Sequence, residues 1–445
     1  MKRWNLVGSL LVIGMIVTLP CVGYAQESTF SGTVTDSTGG VLPGVTVTAT
    51  NVESGNTFEA VTDDRGNFRM PVRVGGYRIT AKLAGFTTIN WSGLQVLVGQ
   101  AAVVNVQLAP STLQETVTVT GEAPLIEMTS STVGSNIDPR QMQELPVSGR
   151  NWIDLTLLAP GARRNDSGGL PQNRQGYSQI TMDGQQVTTN YHSAPDSEQP
   201  KYSLDGIGEF EVITNRFDAI QGRSAGMVVN AITKSGTNIF SGALSGYFRD
   251  EKFNAADFIE HRVLPYSNQQ ASGTFGGPIR RNRIHFFLNY GYGREPKTFS
   301  YNSPYPSFNR DIFFPSRVDL GVGRLDFQFR PQTRLSLRGQ GYQEMFYGPG
   351  GNSATTHPSS GGPRGRDTSQ FYGTFTQVLS NRMLNEIRGG STAYDRKDHP
   401  AVQWQGGPFP YRPVLNGGSV TILLPGYAIW IPTAAREPGH LVDSR

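Results

Sequence analysis

The sequence has almost no cysteine. Of its 445 residues only Cys21 is a cysteine, and it lies within residues 1–25, which read as a secretory signal that is removed on export. The mature chain is therefore expected to contain none. This excludes disulfide bonds, thiolate metal sites and cysteine catalysis, so an exported chain must gain its stability from packing and hydrogen-bonded structure.

Residues 1–25 have the three parts of a signal peptide. Lys2 and Arg3 form the positive start, an apolar stretch from Leu6 to Leu19 follows, and Gly23–Tyr24–Ala25 places small residues where a signal peptidase reads them. The alternative is an uncleaved membrane anchor. The apolar stretch is shorter than the ~20 residues that a bilayer requires, so we predict a cleaved signal and an exported chain.

A strong charge of either sign is also missing. Charged residues make up 17% of the chain and the formal net charge is +4. Lys2 and Arg3 leave with the signal, and residues 1–25 contain no acid, so the mature value is 4 − 2 = +2. Because no basic block or stripe accompanies this balance, a nucleic-acid partner is not expected.

After the signal there is no apolar run long enough for a transmembrane helix. Glycine accounts for 53 residues and aromatic residues for 10% of the chain, which is typical of a protein rich in strands and loops. A membrane β-barrel distributes its apolar residues in alternation and has a low mean hydropathy. The value of −0.34 is therefore compatible with a membrane protein.

Motifs of catalysis and cofactor binding are absent as well. The sequence contains no Walker loop, no Gly-x-Ser-x-Gly and no His-Glu-x-x-His, and its six histidines are scattered without the spacing of metal ligands. We therefore expect no enzyme activity, no cofactor and no metal site.

What is present begins with a small β-sandwich in residues 26–110. Apolar and polar residues alternate in short stretches such as Val45–Thr50 and Tyr77–Leu83, with turn sequences between them. A period of two predicts half-buried strands, and the spacing of the strands favours a Greek-key sandwich.

Several runs in this sandwich resemble the carboxypeptidase regulatory-like domain. They are Gly32–Asp36, Pro43–Val47, Thr62–Phe68, Gly76–Tyr77 and Gly85–Phe86. The resemblance implies a transthyretin-like, carbohydrate-binding-like fold in an accessory role, with no peptidase activity. The acids of these runs lie at turns, where turn chemistry alone explains them.

A linker over residues 111–121 contains an extended, β-prone segment, made of Glu115, Thr116, Val117, Thr118, Val119 and Thr120. The segment resembles the TonB box of outer-membrane receptors, which implies a TonB-type energy-transducing protein as partner. Such a segment can add as a strand to a partner's sheet edge, where backbone hydrogen bonds give affinity. The alternatives are that it forms the last strand of the sandwich or a linker without a partner.

Residues 122–236 predict a mixed α/β module. Asp138–Pro139 begin a helix, Trp152–Leu158 form a second short helix, and Asp183–Gly184 make a hairpin turn after the strand Ile180–Met182. Ile207–Phe210 lead into a further predicted strand, Glu211–Thr214, and another strand is predicted over Gly226–Thr233.

This module resembles the plug of TonB-dependent receptors. The match lies in Leu145–Asn151, in Asp183–Gly184 and in the long run Phe217–Asn238. Together with the N-terminal module it indicates the Oar-like branch. The plug residues that it singles out are Arg150, Asp183, Gly184 and Arg223. The two arginines are predicted either to pair with acids of a barrel wall or to remain solvated.

Residues 237–445 predict the antiparallel strands of an outer-membrane barrel. Alternating, aromatic-rich stretches such as Ile284–Tyr292 are joined by short turns such as Arg330–Thr333 and by the long segment Phe346–Asp367. Short turns on one side and long loops on the other are typical of such barrels, and these runs also resemble Oar-like barrels. A soluble β-sandwich or propeller is the alternative.

This region supplies on the order of ten strands, at ~10 residues each plus turns and loops. Enclosing a folded plug takes about twice as many strands, and the final residues, Gly439–Arg445, do not read as a strand. We therefore expect an incomplete barrel and a fragment of a longer product.

The expected fold is mainly β: a transthyretin-like sandwich, an α/β plug and an incomplete antiparallel barrel. The resemblance implies an outer-membrane transporter with a periplasmic N-terminal domain, in contact with outer-membrane lipid, a TonB-type protein and an unknown extracellular substrate. The rivals are a SusC-like glycan importer and a secreted adhesion or carbohydrate-binding protein without a pore. Neither the substrate nor the direction of transport follows from the sequence.

Overall fold

In the computed structural model of the chain, the residues described are 28–111, 116–120, 133–145, 147, 150–162, 179–187, 202–214, 227–302, 309–314, 316–348, 362–380, 383–398, 420–424 and 427–431. The predicted signal at 1–25, Glu115 and Arg223 lie outside these residues.

The first fold unit is a sandwich of two sheets, called the sandwich below. One sheet has the strand order β4-β1-β7, with β8 also pairing with β1, and the other has the order β3-β2-β5-β6-β9. Its strands are β1 (Ser28–Asp36), β2 (Thr46–Asn51), β3 (Thr57–Val61), β4 (Asn67–Val72), β5 (Gly75–Lys82), β6 (Thr88–Val96), β7 (Ala101–Val103), β8 (Val106–Leu108) and β9 (Thr116–Thr120).

The core of the sandwich follows from the alternation in its sequence. On β5, Tyr77, Ile79 and Ala81 are buried, as their period of two predicts. The ring of Tyr77 lies edge-on to Phe30 and Phe58, with centroids 5.4 and 6.0 Å away. Its hydroxyl donates to the carbonyl of Arg73 at 2.7 Å, so the buried polar end is satisfied.

The second unit, called the plug, is a five-stranded sheet with short helices. The strand order is β10-β13-β14-β11-β12, with β11 and β14 parallel. Its elements are β10 (Val133–Ile137), α1 (Pro139–Glu144), a 3-10 helix (Trp152–Leu158), β11 (Gln179–Met182), β12 (Gln185–Gln186), a 3-10 turn (Leu204–Gly206), β13 (Ile207–Thr214) and β14 (Met227–Thr233).

The helix starts follow local capping chemistry. The Asp138 side chain accepts from the Gln141 N–H at 2.8 Å, and the Gln141 side chain accepts from the Asp138 N–H at 3.1 Å, which completes a capping box with Pro139 in the first turn. The predicted second helix is a 3-10 helix, whose Trp152 packs on Phe210. None of the helices in the described ranges is long and apolar enough to cross a membrane.

The third unit, called the wall, is a seven-stranded antiparallel sheet in the order β15-β16-β17-β20-β21-β22-β23. Its strands are β15 (Ser241–Asp250), β16 (Ser267–Arg280), β17 (Ile284–Arg294), β20 (Ser316–Arg330), β21 (Thr333–Gly348), β22 (Gly362–Ser380) and β23 (Met383–Asp398). Two separate hairpins are β18 (Lys297–Tyr301) with β19 (Arg310–Phe314), and β24 (Val420–Leu424) with β25 (Tyr427–Ile431). Within the described strands the sheet does not close.

The two faces of the wall differ in polarity. On β20, Leu320, Val322 and Arg324 are buried toward the plug, whereas Leu325 and Phe329 are exposed on the other face. The plug and wall share one apolar cluster. The strands are longer than expected: β21 extends to Gly348 and β22 begins at Gly362, so strand pairing takes up both ends of the loop predicted over 346–367.

Candidate functional site: the contact between plug and wall

The hairpin turn Asp183–Gly184 stands at the centre of the plug–wall contact. Both residues have positive φ, +48° and +91°, as a two-residue turn between β11 and β12 requires. The Asp183 carboxylate accepts from the Thr233 N–H at 3.0 Å and from the Thr233 hydroxyl at 2.7 Å. The turn is thereby fixed to the end of β14.

Two buried arginines of the wall face this carboxylate. Arg324 on β20 donates to Asp183 Oδ1 at 3.1 Å, to the carbonyl of Thr233 at 2.8 Å and to Asp326 at 2.9 Å. Arg338 on β21 lies with its Nε 3.4 Å from Asp183 Oδ2. Removing one partner of a buried pair leaves the other charge uncompensated, at about 3–5 kcal/mol. The pairs therefore make the contact sensitive to the loss of either partner and fix the position of the plug against the wall.

Arg338 also binds neutral groups of the plug. It donates to the Tyr202 hydroxyl at 2.9 Å and to the Gln185 side-chain oxygen at 2.6 Å. The Tyr202 hydroxyl donates in turn to Gln370 on β22 at 2.8 Å. Burial raises the pKa of Tyr202 to about 12, so the hydroxyl keeps its proton and acts as donor and acceptor at once.

Arg150 has a different partner from the one predicted. Its guanidinium donates to Asp205 at 2.8 Å and lies 3.9 Å from the ring centroid of Tyr247 on β15. Asp205 belongs to the plug, so the expected pairing with an acid of the wall is wrong. The wall contributes an aromatic face instead, which attracts a cation through its quadrupole.

The segment that resembles a TonB box lies in the sandwich. Residues Thr116–Thr120 form β9, which pairs in parallel with β6 in an unbroken register from Thr88↔Thr116 to Ser92↔Thr120. β9 is therefore the edge strand of a five-stranded sheet. In this conformation the segment occupies the place of a last sandwich strand.

The sandwich contacts both the plug and the wall. Val98, in the turn after β6, donates its N–H to Glu209 on β13 and accepts from the Asn136 amide at 2.8 Å. Arg73 lies 3.2 Å from Asp326 of the wall. Burial raises the pKa of Glu209 to about 8, because an ionised carboxylate loses its hydration there.

Comparisons with known proteins agree with this architecture. Residues 29–109 match the carboxypeptidase regulatory-like domain family, and residues 232–311 match the outer membrane β-barrel domain family. The TonB-dependent transporter Oar of Myxococcus xanthus is 30% identical over 289 residues, which cover 60% of this chain. The relative and the two domain families support a TonB-dependent receptor. The match over residues 232–311 supports an outer-membrane location.

The chain spans 27% of the length of the Myxococcus transporter. Among solved structures, the outer-membrane transporter YddB of Escherichia coli aligns with a TM-score of 0.45 and 12% identity, covering 60% of this chain and 40% of that one. A variant of the ferric enterobactin receptor PfeA of Pseudomonas aeruginosa gives 0.39 and 13%, covering 59% and 49%. At these values the structural likeness alone assigns neither fold nor function.

Sequence reasoning finds Asp183 and Gly184 in the receptor but misses their wall partners, Arg324 and Arg338. A signal for them exists. On β20 and β21 these arginines occupy the same alternate positions as Val322 and Gln340, opposite in phase to Leu325 and Leu337. In a membrane barrel the alternate positions that carry charged residues face inward. Both arginines can therefore be assigned to the inner face from the sequence, though not to a particular plug residue.

Proposed function

We propose that the receptor carries a large or scarce substrate across the outer membrane as an Oar-like TonB-dependent transporter. The observation that supports this most is the ion-paired contact of Asp183 with Arg324 and Arg338. It fastens the plug to the wall through a few strong, discrete contacts. A plug held in this way blocks a path at rest and can be released as a unit when energy is applied.

The energy has to come from outside the chain, because the sequence carries no nucleotide-binding motif. We assign this role to a TonB-type protein that engages residues 115–120 on the periplasmic side. The substrate would bind on the opposite side, on extracellular loops and the plug. The wall supports this orientation: its short turns lie at the end where the sandwich docks, as the contact of Gln328 with the carbonyl of Thr57 shows.

Proline at position 117 tests this assignment. Val117→Pro removes a backbone N–H and forbids regular strand pairing at the centre of the segment. In the full-length receptor we expect energised uptake to fall at least tenfold while substrate binding at the cell surface stays unchanged. The matched control is Val117→Thr, which keeps the amide and the β-branched shape.

The substrate for this assay comes from growth of a deletion strain on single sources of iron, peptide or glycan. Rescue by glycans alone would favour the SusC-like alternative. Uptake that Val117→Pro leaves intact would show that the segment is not the coupling contact.

A further inference from the structure

One side of the sandwich lies against the wall, apart from its contact with the plug. The side-chain amide of Gln328, near the end of β20, donates to the carbonyl of Thr57 at 3.3 Å. On β21, the guanidinium of Arg334 lies 5.3 Å from the ring centroid of Phe58, and both of these side chains are buried. Strand β3 of the sandwich therefore packs directly on two strands of the wall.

Arg73 adds a buried charge to this contact. It lies in the connection between β4 and β5, with its guanidinium 3.2 Å from Oδ1 of Asp326 on β20. The hydroxyl of Ser336 donates to the same oxygen at 2.7 Å, and Oδ2 accepts from Nε of Arg324 at 2.9 Å. Only 2% of Asp326 is exposed, so its partners are the groups of the sandwich and the wall.

Asp326 connects the sandwich with the contact between the plug and the wall. The arginine that binds its Oδ2 is the one that binds Asp183: Nη1 of Arg324 donates to Asp183 at 3.1 Å and to the carbonyl of Thr233 at 2.8 Å. A guanidinium is planar and rigid, so a partner that fixes Nε also fixes the direction of Nη1. Asp326 therefore orients the group that binds the plug.

We propose that the docked sandwich strengthens the attachment of the plug to the wall, with Arg73 and Asp326 as positioning residues for Arg324. The plug then separates from the wall most easily after the sandwich has left it. The consequence for transport rests on the proposed function. The coupling between the two contacts does not, and it is measurable without a substrate.

The direction of the coupling follows from charge and hydration. While the sandwich is docked, Asp326 is covered and has a cation on each oxygen, so the attraction between Arg324 and Asp183 acts in a medium of low dielectric. When the sandwich leaves, Arg73 is lost and water reaches Asp326, which weakens that attraction. Arg73 also repels Arg324, but the carboxylate between them is closer to each. Since coupling is reciprocal, a bound plug strengthens docking of the sandwich by the same factor.

Arg73→Met tests the proposal from the sandwich side. The backbone carbonyl of Arg73, which accepts from the Tyr77 hydroxyl, is unchanged, so the sandwich should fold. In the full chain we expect hydrogen exchange of β11 and β14 in the plug to become at least fivefold faster. Arg69→Met is the matched control, because Arg69 is exposed on β4 and the same charge is removed. It should change these rates less than twofold.

A double-mutant cycle shows whether the effect passes through Asp183. Asp183→Asn removes the carboxylate that Arg324 binds on the plug. If Arg73 acts through Arg324, adding Arg73→Met to Asp183→Asn should accelerate exchange of β11 and β14 less than twofold further. A further acceleration of fivefold or more would overturn the proposal, because the two substitutions would then act independently.

Gln328→Ala tests the same coupling from the wall side and leaves the sandwich sequence intact. Weaker docking should make exchange of β11 and β14 at least twofold faster. This variant decides the question if Arg73→Met also loses protection in β2 and β5, the core strands of the sandwich. Rates in the plug that stay at the wild-type value in Gln328→Ala would overturn the proposal. Uptake that Val117→Pro leaves intact contradicts the proposed function alone, since the exchange rates involve no transport.

Discussion

The sandwich and the plug–wall contact are stabilised by different forces. The sandwich encloses a continuous apolar core in which Phe30, Val47 and Tyr77 have at most 1% of their surface exposed. The plug meets the wall through an apolar cluster as well, but its centre is ionic, with Asp183 between Arg324 and Arg338. Apolar burial is non-directional and tolerates small shifts, whereas an ion pair depends on position.

This difference matches different tasks. A domain that bears load has to stay folded, and a continuous buried core provides that. In the proposed transporter the plug has to bind the wall firmly and then separate from it. Buried charges hold while they are paired, and water entering the opened interface can solvate them after they separate. The comparison predicts that substitutions in the two regions affect different properties.

The largest expected effect lies in the core of the sandwich. Tyr77→Ala removes the ring that packs on Phe30 and Phe58 and leaves a cavity, so we expect a loss of about 3–5 kcal/mol in the free energy of unfolding. Denaturant unfolding of residues 26–121, which include β9 and which we expect to fold alone, measures it. Val52→Ala is the control, because Val52 is 60% exposed and its truncation should cost less than about 0.5 kcal/mol. Equal losses would show that this core is not the source of stability.

The second effect lies at the contact between the plug and the wall. Asp183→Asn leaves Arg324 and Arg338 without their shared carboxylate, and we expect a loss of about 3 kcal/mol in plug–wall stability. Hydrogen exchange in the full chain should show faster exchange of β11 and β14, with the sandwich core unchanged. Glu144→Gln, an exposed change at the end of α1 in the plug, is the matched control. Equally faster exchange of the sandwich strands in Asp183→Asn would contradict the separation of the two regions.

The sequence alone predicts the local features of these two regions. Alternation places Tyr77, Ile79 and Ala81 on one face, and the turn chemistry of Asp183–Gly184 is fixed by two adjacent residues. The contact between Asp183 and Arg324 cannot be predicted in this way, because 141 positions separate the two residues in the sequence. That contact depends on how two sheets pack, and no local pattern encodes it.

The short helix predicted over Trp152–Leu158 is confirmed and is a 3-10 helix. The same limit explains a local error in the wall. The segment 346–367 is rich in glycine, proline and serine, which predicts a loop. Pairing between β21 and β22 nevertheless continues from Phe346↔Arg364 to Gly348↔Gly362, because a neighbouring strand supplies hydrogen bonds that composition does not reveal.

The most conditional effect, since it appears only when the pH changes, concerns the contact between the sandwich and the plug, where Glu209 accepts from the Val98 N–H. Burial raises the pKa of Glu209 to about 8 from an ordinary value of 4.5, and the charge of Asp138 adds to the rise. A raised pKa in the docked state means that docking binds a proton. The stabilisation is therefore complete below pH 4.5, decreases by at most about 1.4 kcal/mol per pH unit above it, and is lost as the pH passes 8.

Glu209→Gln tests this dependence because the amide keeps an acceptor for the Val98 N–H but does not titrate. We expect protection of the Val98 amide from hydrogen exchange, corrected for the intrinsic rate, to decline between pH 5 and pH 9 in the wild type and to stay level in Glu209→Gln. Asp138→Asn removes the neighbouring negative charge, so the pKa of Glu209 should rise less and the decline should end at a lower pH. A wild-type profile as level as that of Glu209→Gln would show that the contact holds an ionised carboxylate throughout, so that the sandwich docks on the plug independently of pH.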